Sequence, residues 1–366
     1  MAALHQFVPT FEPGAVGSHM LELQKLWRES GRGESEIFAE HVRPPYDDMA
    51  HRFTEYGTRR FPARSDDVLV YQMAIGSTVA DFVRDRREPL VLNHHNFTPV
   101  QYLQQWEPTA TWGVQWGQAQ LRELAPRTKL AVAVSEYNAS QLREAGYGHI
   151  EVAPLLLDVD AMDREVEEEA AAALQAAKTD TGVDWLFVGR LAANKCQHDV
   201  VRAFAMYRRV YNPNARLHLV GGAPADAYRA ALEGLVSNLG LRGAVAITGG
   251  VSPGALAAYY RAADVFVCLS EHEGFCAPLL EAMHHSVPVV AYAAAAVPET
   301  VDDAALLLSS KEPVLVAAAV DRVLSDGGVW WALVKAGQKR LAEFSLERTG
   351  QRWLEVLDTV VQLHAR

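Results

Sequence analysis

Ser270-Glu271-His272-Glu273-Gly274-Phe275-Cys276-Ala277-Pro278-Leu279-Leu280-Glu281 follows directly on the apolar run 265–269. Val, Phe, Val, Cys and Leu in succession read as a buried strand, and Pro278 suits the first position of a helix, where a missing N–H costs nothing. The stretch is therefore a strand, a loop containing a glycine, and a helix start. Such a start presents unpaired backbone N–H groups at the positive end of the helix dipole, a receptor for phosphate or another anion. Glu281, one turn into the helix, is placed to accept hydrogen bonds from ligand hydroxyls, and Glu273 lies in the loop itself.

The same rhythm runs outward in both directions. In the second half, strands are expected over 185–188, 216–220, 244–248 and 287–292, with helices over 199–207, 253–261 (opened by Ser252-Pro253) and 277–285. In the first half a strand over 4–8 leads through a loop to a helix over 18–29, with Ser18 as its N-cap and Met20, Leu21, Leu23, Leu26 and Trp27 as its apolar face. Apolar runs at 36–39, 68–71, 90–93 and 130–134 follow. Strands alternating with helices predict α/β architecture with parallel sheets covered on both faces. At 366 residues the chain exceeds one ordinary core. An acidic, Ala-rich stretch from Arg164 to Ala170 reads as the connector between two Rossmann-like halves. Ligands of such sheets bind beyond the strand C-terminal ends, so the cleft between the halves is the expected site. A last helix over 346–363, with Trp353, Leu354, Val356, Leu357, Val360 and Val361 apolar, either closes the second half or crosses back onto the first.

With 49% hydrophobic and 22% charged residues the composition is that of a globular enzyme, and the formal charge of −11 argues against a nucleic-acid binder. Arg59, Arg60 and Arg64, and Arg84, Arg86 and Arg87, read as solvated faces. Cys196, Cys268 and Cys276 have no metal-ligand spacing and cannot all pair, which fits a reducing cytoplasm. No leader and no apolar run of spanning length is evident, so any membrane contact is expected to be peripheral.

Strand ends carry the candidate chemistry. Gly189-Arg190 and, five residues on, Lys195 place two cations on one loop, a planar fork and a point charge suited to a diphosphate. Alone they read equally well as surface ion pairs; beside the glutamate loop the binding reading is favoured. Gly221-Gly222 and Gly249-Gly250 also follow strands, where glycine permits close backbone approach. Gly14-Ala15-Val16-Gly17-Ser18-His19 joins the first strand to the first helix, and Asn93-His94-His95-Asn96 ends another strand, His95 being preferred over His94 as the ligand-facing ring. Trp112 and Trp116, one turn apart after Trp106, read as a buried helix face in preference to a sugar platform. His284-His285 is expected to meet the carbonyls at its helix end, and Asp158-Val159-Asp160 to act as a linker cap and not as a metal-binding D-x-D. No G-x-G-x-x-G follows a strand, and neither a Walker A loop nor a G-x-S-x-G elbow occurs.

Gly189-Arg190 with Lys195, the E-x7-E spacing of Glu273 and Glu281, and Val287-Pro288-Val289-Val290-Ala291-Tyr292 with Val297-Pro298-Glu299 resemble the group 1, or family 4, retaining glycosyltransferases of GT-B fold. The match is strong in the second half and weak in the first. It implies an acceptor-side domain over 1–157 completed by a returning helix from about 348 to 366, and a nucleotide-sugar domain over 158–347. It implies transfer of a sugar, a hexose by preference, from a nucleotide-diphosphate donor to a hydroxyl acceptor, with no metal and no cofactor. Arg190 and Lys195 would stabilise the leaving diphosphate, Glu281 would hold the ribose, and Glu273 with the N–H groups of Gly274, Phe275 and Cys276 would contact the transferred sugar. Gly189, Gly222, Ala277 and Leu279 belong to the same implied donor set, Gly17 would approach the phosphates from the first half, and His95 would face sugar or acceptor. The sequence departs from the family pattern at Gly14-Ala15-Val16-Gly17, where adjacent glycines are common, and at Ala293 to Ala296 and His285, where glycine is usual. The alternatives carried are a non-catalytic GT-B subunit that binds nucleotide sugar for a partner, and a GT-B sugar phosphorylase or epimerase.

Overall fold

The computed structural model describes residues 3–163 and 166–364; Arg164 and Glu165 of the expected connector lie outside the described residues, as does the side chain of Val361. The chain forms two compact units, one of Met1–Val100, Thr109–Asp158 and Glu343–Arg366, the other of Gln101–Pro108 and Val159–Ala342. The short segment Gln101–Pro108, which the sequence leaves inside the first half, thus groups with the second unit.

The first unit is built on seven strands, β1 (Leu4–Phe11), β2 (Ser35–Val42), β3 (His51–Arg52), β4 (Val68–Met73), β5 (Leu90–His94), β6 (Leu130–Ala133) and β7 (Ile150–Val152), in the order β3-β2-β1-β4-β5-β6-β7. All pairs are parallel, with Leu4 opposite both Ser35 and Val68. Continuous apolar runs in β4, β5 and β6 are buried on both faces, as a sheet covered by helices requires. The unforeseen strands β3 and β7 are short edge strands of half-exposed residues, too brief to leave a periodic signal.

The first helix runs Ala15–Glu29, three residues earlier than expected: Gly14, at φ 141, makes the turn, and Ser18 donates its N–H to the Gly14 carbonyl from inside the helix. Ser18 is therefore not the N-cap. Helix Leu346–His364 belongs to this unit and lays Trp353, Val356, Leu357 and Val360 against Leu4, Leu23, Trp27, Val70 and Val132. The Trp353 Nε1 donates to the Pro154 carbonyl at 2.7 Å, and Arg32 holds Asp358 through two bonds of 2.9 and 2.8 Å.

The second unit has six parallel strands, β8 (Asp184–Val188), β9 (Arg216–Val220), β10 (Val245–Gly249), β11 (Val265–Cys268), β12 (Val289–Tyr292) and β13 (Ala305–Leu308), in the order β10-β9-β8-β11-β12-β13. Its core gathers Trp185, Phe187, Phe204, Leu217, Leu219, Val267 and Val320. Strand β8 starts on the fully buried Asp184, which accepts from Arg216 at 2.7 and 2.6 Å and lies 3.3 Å from His218 and 3.7 Å from Lys178. Burial would raise its pKa, but the bonds and charges of His218 and Arg216 hold it down to about 2.

This arrangement has a defined acid response. Burial lowers the pKa of His19 to about 3, and burial lowers those of His94 and His272 to about 4, so the folded state binds fewer protons than the unfolded chain. Stability from these histidines is complete above their unfolded value of about 6.5 and falls as the pH drops below it; that from Asp184 is lost lower, between about 4 and 2. Urea unfolding is expected to show a midpoint that falls steadily from about pH 7 to about pH 4.5. A midpoint that stays level or rises over that range would contradict the buried neutral histidines.

Candidate functional site

Strand β11 ends at Cys268, and the chain passes through a loop into helix Ala277–His284. Cys276 makes the turn at φ 70 and is the N-cap, so Ala277 opens the helix and Pro278 takes the second position instead of the first. Within the loop, Glu273 is only 6% exposed. A carboxylate so far from water needs a partner, and both its oxygens face the Lys195 ammonium, at 2.8 and 2.6 Å. Lys195 ends the short 3-10 turn Ala193–Lys195 beyond β8. Burial works to lower its pKa, yet the Glu273 charge prevails and raises it, so the ammonium is held charged.

Neighbouring groups fix this loop from several sides. Asn194 donates Nδ2 to the His272 carbonyl at 3.0 Å and accepts the Glu271 N–H at 2.9 Å, binding the two strand-end loops together. The Glu273 carbonyl accepts from the Ala296 N–H at 3.2 Å, and Thr300 Oγ1 donates to the Phe275 carbonyl at 2.5 Å. Lys311 reaches Glu271 at 2.5 Å and Asp199 at 2.7 Å, and the two carboxylates raise its pKa against the opposing effect of burial. Asn194 and Lys311 escaped the sequence reading because their roles depend on partners 78 and 40 positions away.

Arg190 stands on the same loop as Lys195, half-exposed, with Nη1 3.5 Å from Glu107 Oε2. Its carbonyl accepts from Gln197 Nε2 at 2.9 Å. Gly189 and Gly221 adopt φ of 152 and 146, and a Cβ at Gly221 would lie 2.2 Å from the Gly189 carbonyl oxygen, so the ends of β8 and β9 approach each other only because residue 221 lacks a side chain. Gly222 accepts the Leu191 N–H at 2.8 Å. On the helix, Glu281 Oε2 accepts from Tyr260 Oη at 2.7 Å; burial raises the carboxyl pKa and this bond partly offsets it. Leu279 is fully buried beneath that turn, and Gly274 is partly exposed.

In the first unit, His95 is partly exposed, whereas His94 is buried with Nε2 3.0 Å from Gln141 Oε1. His95 Nε2 lies 2.6 Å from Gln72 Oε1, and Gln72 donates in turn to Gln6 Oε1 at 2.8 Å. Gly17 sits inside the first helix, where a Cβ would come within 2.1 Å of the Glu12 carbonyl oxygen. The glycine is thus required by its own turn.

Two expectations are corrected. Trp112 is 61% exposed, with its ring 5.0 Å from that of Trp116. The buried side of helix Pro108–Leu124 is Gly113, Val114, Gly117, Gln120 and Leu121, because Gly113 and Gly117 let it pack on the backbone at Gly76. His284 and His285 do not serve helix carbonyls: His284 Nε2 lies 2.8 Å from Asp163 and Nδ1 3.5 Å from Asp160, while His285 stacks on Tyr260. A separate cavity of about 560 Å³ in the second unit is lined by Trp106, His198, Arg202, Tyr228, Leu232 and Leu235, among others, and includes none of Arg190, Lys195, Glu273 or Glu281.

Residues 172–340 match the family model described as glycosyl transferases group 1. That match lies within the second unit. An uncharacterized glycosyltransferase of Methanocaldococcus jannaschii is 32% identical over 184 residues, 50% of this chain and 46% of that protein. A D-inositol 3-phosphate glycosyltransferase of Geodermatophilus obscurus is 32% identical over 190 residues, 50% of this chain and 41% of that protein. The chain thus spans less than half the length of these curated relatives in the matched region. Among solved structures, sucrose-phosphate synthase from Thermosynechococcus elongatus aligns with a TM-score of 0.76 at 18% identity, covering 99% of this chain and all of that one. Anabaena HepE in complex with UDP-glucose aligns with a TM-score of 0.74 at 17% identity, covering 98% of this chain and 100% of that one. The fold is GT-B, two α/β domains with parallel sheets. Among the described residues no helix is long and apolar enough to cross a membrane.

Proposed function

We propose that the chain is a retaining glycosyltransferase that moves a sugar from a nucleotide-diphosphate donor to a hydroxyl acceptor without a metal ion. The observation that carries this reading is the buried Lys195–Glu273 pair set beside the N-terminus of helix Ala277–His284. Breaking the glycosidic bond to a diphosphate builds negative charge on the leaving phosphate and positive charge on the anomeric carbon. Lys195 and the exposed Arg190 guanidinium supply the first complement, and backbone N–H groups at Phe275, Cys276 and Ala277 extend it. Glu273 supplies a fixed negative charge for the sugar side. These cations make a divalent ion dispensable, so transfer is expected to persist in the presence of a chelator. The acceptor proton passes to the leaving phosphate on the same face, which retains the anomeric configuration.

Glu281, with one oxygen held by Tyr260, is the proposed ribose ligand. Gly189 and Gly222, following β8 and β9, are the proposed backbone contacts to the diphosphate, and Gly274 and Leu279 the proposed neighbours of the sugar. In the first unit, His95 is the proposed ligand-facing group, its Nε2 occupied by Gln72. HepE was solved with UDP-glucose, which makes UDP sugars the first donors to try. A thermal-shift panel of nucleotide sugars tests the reading: a true donor at about 100 times its Kd stabilises the fold by about 2.7 kcal/mol. Product NMR then reports the anomer. A panel with no shift, or an inverted product, would remove the donor assignment or the retaining one respectively.

A further inference from the structure

Cys276 turns the chain into helix Ala277–His284 at φ 70, a conformation that glycine adopts freely and a residue with a β-carbon rarely does. Its side chain is buried, and the group it meets there is a second thiol: the Sγ of Cys268, at the end of β11, lies 3.9 Å away. The two sulfurs and a Glu273 oxygen all lie within 4.8 Å of one another, and that carboxylate carries the Lys195 ammonium. Contact with Cys268 and burial hold the Cys276 thiol well above the ordinary range, whereas the hydrogen bond with Cys276 lowers Cys268 against burial and the Glu273 charge, so Cys268 is the sulfur that reacts first as thiolate. Cys196 is occupied elsewhere, 3.4 Å from Lys311.

We propose that Cys268 and Cys276 form a reversible modification site, a dithiol that a small peroxide converts to a disulfide, disabling the loop that carries Glu273. Each thiol gives up one proton and one electron as the S–S bond forms. The O–O bond of hydrogen peroxide breaks, takes up both electrons and both protons, and leaves as two waters; an added dithiol reverses the change by thiolate exchange. Bonding requires the sulfurs to close from 3.9 Å to about 2.0 Å. Because Cys276 is the N-cap of the helix, that movement shifts the N–H groups of residues 275–277 and draws Glu273 from Lys195. Cys276 is 8% exposed and Cys268 1%, so the pair reacts only with an oxidant as small as hydrogen peroxide.

The consequence for ligand binding rests on the function proposed above; the thiol chemistry does not. The test treats the whole reduced protein with hydrogen peroxide, denatures it, alkylates remaining thiols and maps them by peptide mass spectrometry. The expected result is an unlabelled peptide holding both Cys268 and Cys276, lighter by two hydrogens, with Cys196 labelled. UDP, used as the probe, should bind at least about tenfold more weakly after oxidation and regain its affinity with dithiothreitol. Cys268→Ala and the closer isostere Cys268→Ser should bind UDP normally when reduced and no longer respond to peroxide. Labelling of both thiols after peroxide, or a linked protein with unchanged UDP affinity, would overturn the proposal. Reduced protein that binds no nucleotide would count against the proposed function, and the alkylation map would then judge the disulfide by itself.

Discussion

Lys195→Ala is expected to lower sugar transfer by about 10²–10³-fold, the usual loss when one preorganised group for the leaving charge is removed. The same change leaves Glu273, 6% exposed, as a buried carboxylate without its cation. Removing one partner of a buried ion pair costs about 3–5 kcal/mol, so the variant should also unfold at lower denaturant concentration. The double variant Lys195→Met, Glu273→Gln separates the two effects. With neither charge buried, its stability should return to within about 1.5 kcal/mol of the parent, while transfer stays at the level of the single variant. Steady-state rates and urea midpoints on the three proteins make the comparison. Parent-like turnover in Lys195→Ala would mean that the pair only holds the loop.

The largest loss of stability is expected from Trp353→Ala. The Trp353 ring is fully buried, lies 4.9 Å from His19, and donates its Nε1 to the Pro154 carbonyl. Truncating a buried tryptophan costs about 3–5 kcal/mol, and here an acceptor is also left unpaired. Trp353→Phe should recover most of the packing and lose mainly the hydrogen bond, about 1 kcal/mol. Equilibrium unfolding of both variants gives the two numbers. If Trp353→Ala cost less than Trp353→Phe, the helix Leu346–His364 would not be the core element its contacts describe.

Sheet-forming strands were legible wherever burial on both faces imposed a continuous apolar run, as in β4, β5, β6 and β11. They were illegible where that pressure is weak. Strand β7, Ile150–Val152, is half-buried, and β13, Ala305–Leu308, is written in alanine and leucine, residues that serve a helix as well. Trp112 is exposed for a related reason: spacing of one turn places two side chains on one face, but Gly113 and Gly117 against Gly76 decide which face is buried.

The one-dimensional order of this chain determined its α/β class, the restart of the pattern in the second half, and the strand–loop–helix unit around Glu273, since each follows from local periodicity and turn chemistry. Tertiary structure alone decided that Lys195 and Glu273, 78 positions apart, share one buried bond, that Asn194 ties their loops together, and that the last helix packs beside Leu4 and Trp27. Pairings of this kind depend on which strand lies next to which, and β11 lies beside β8 through hydrogen bonds between elements far apart in the chain, which no local pattern encodes.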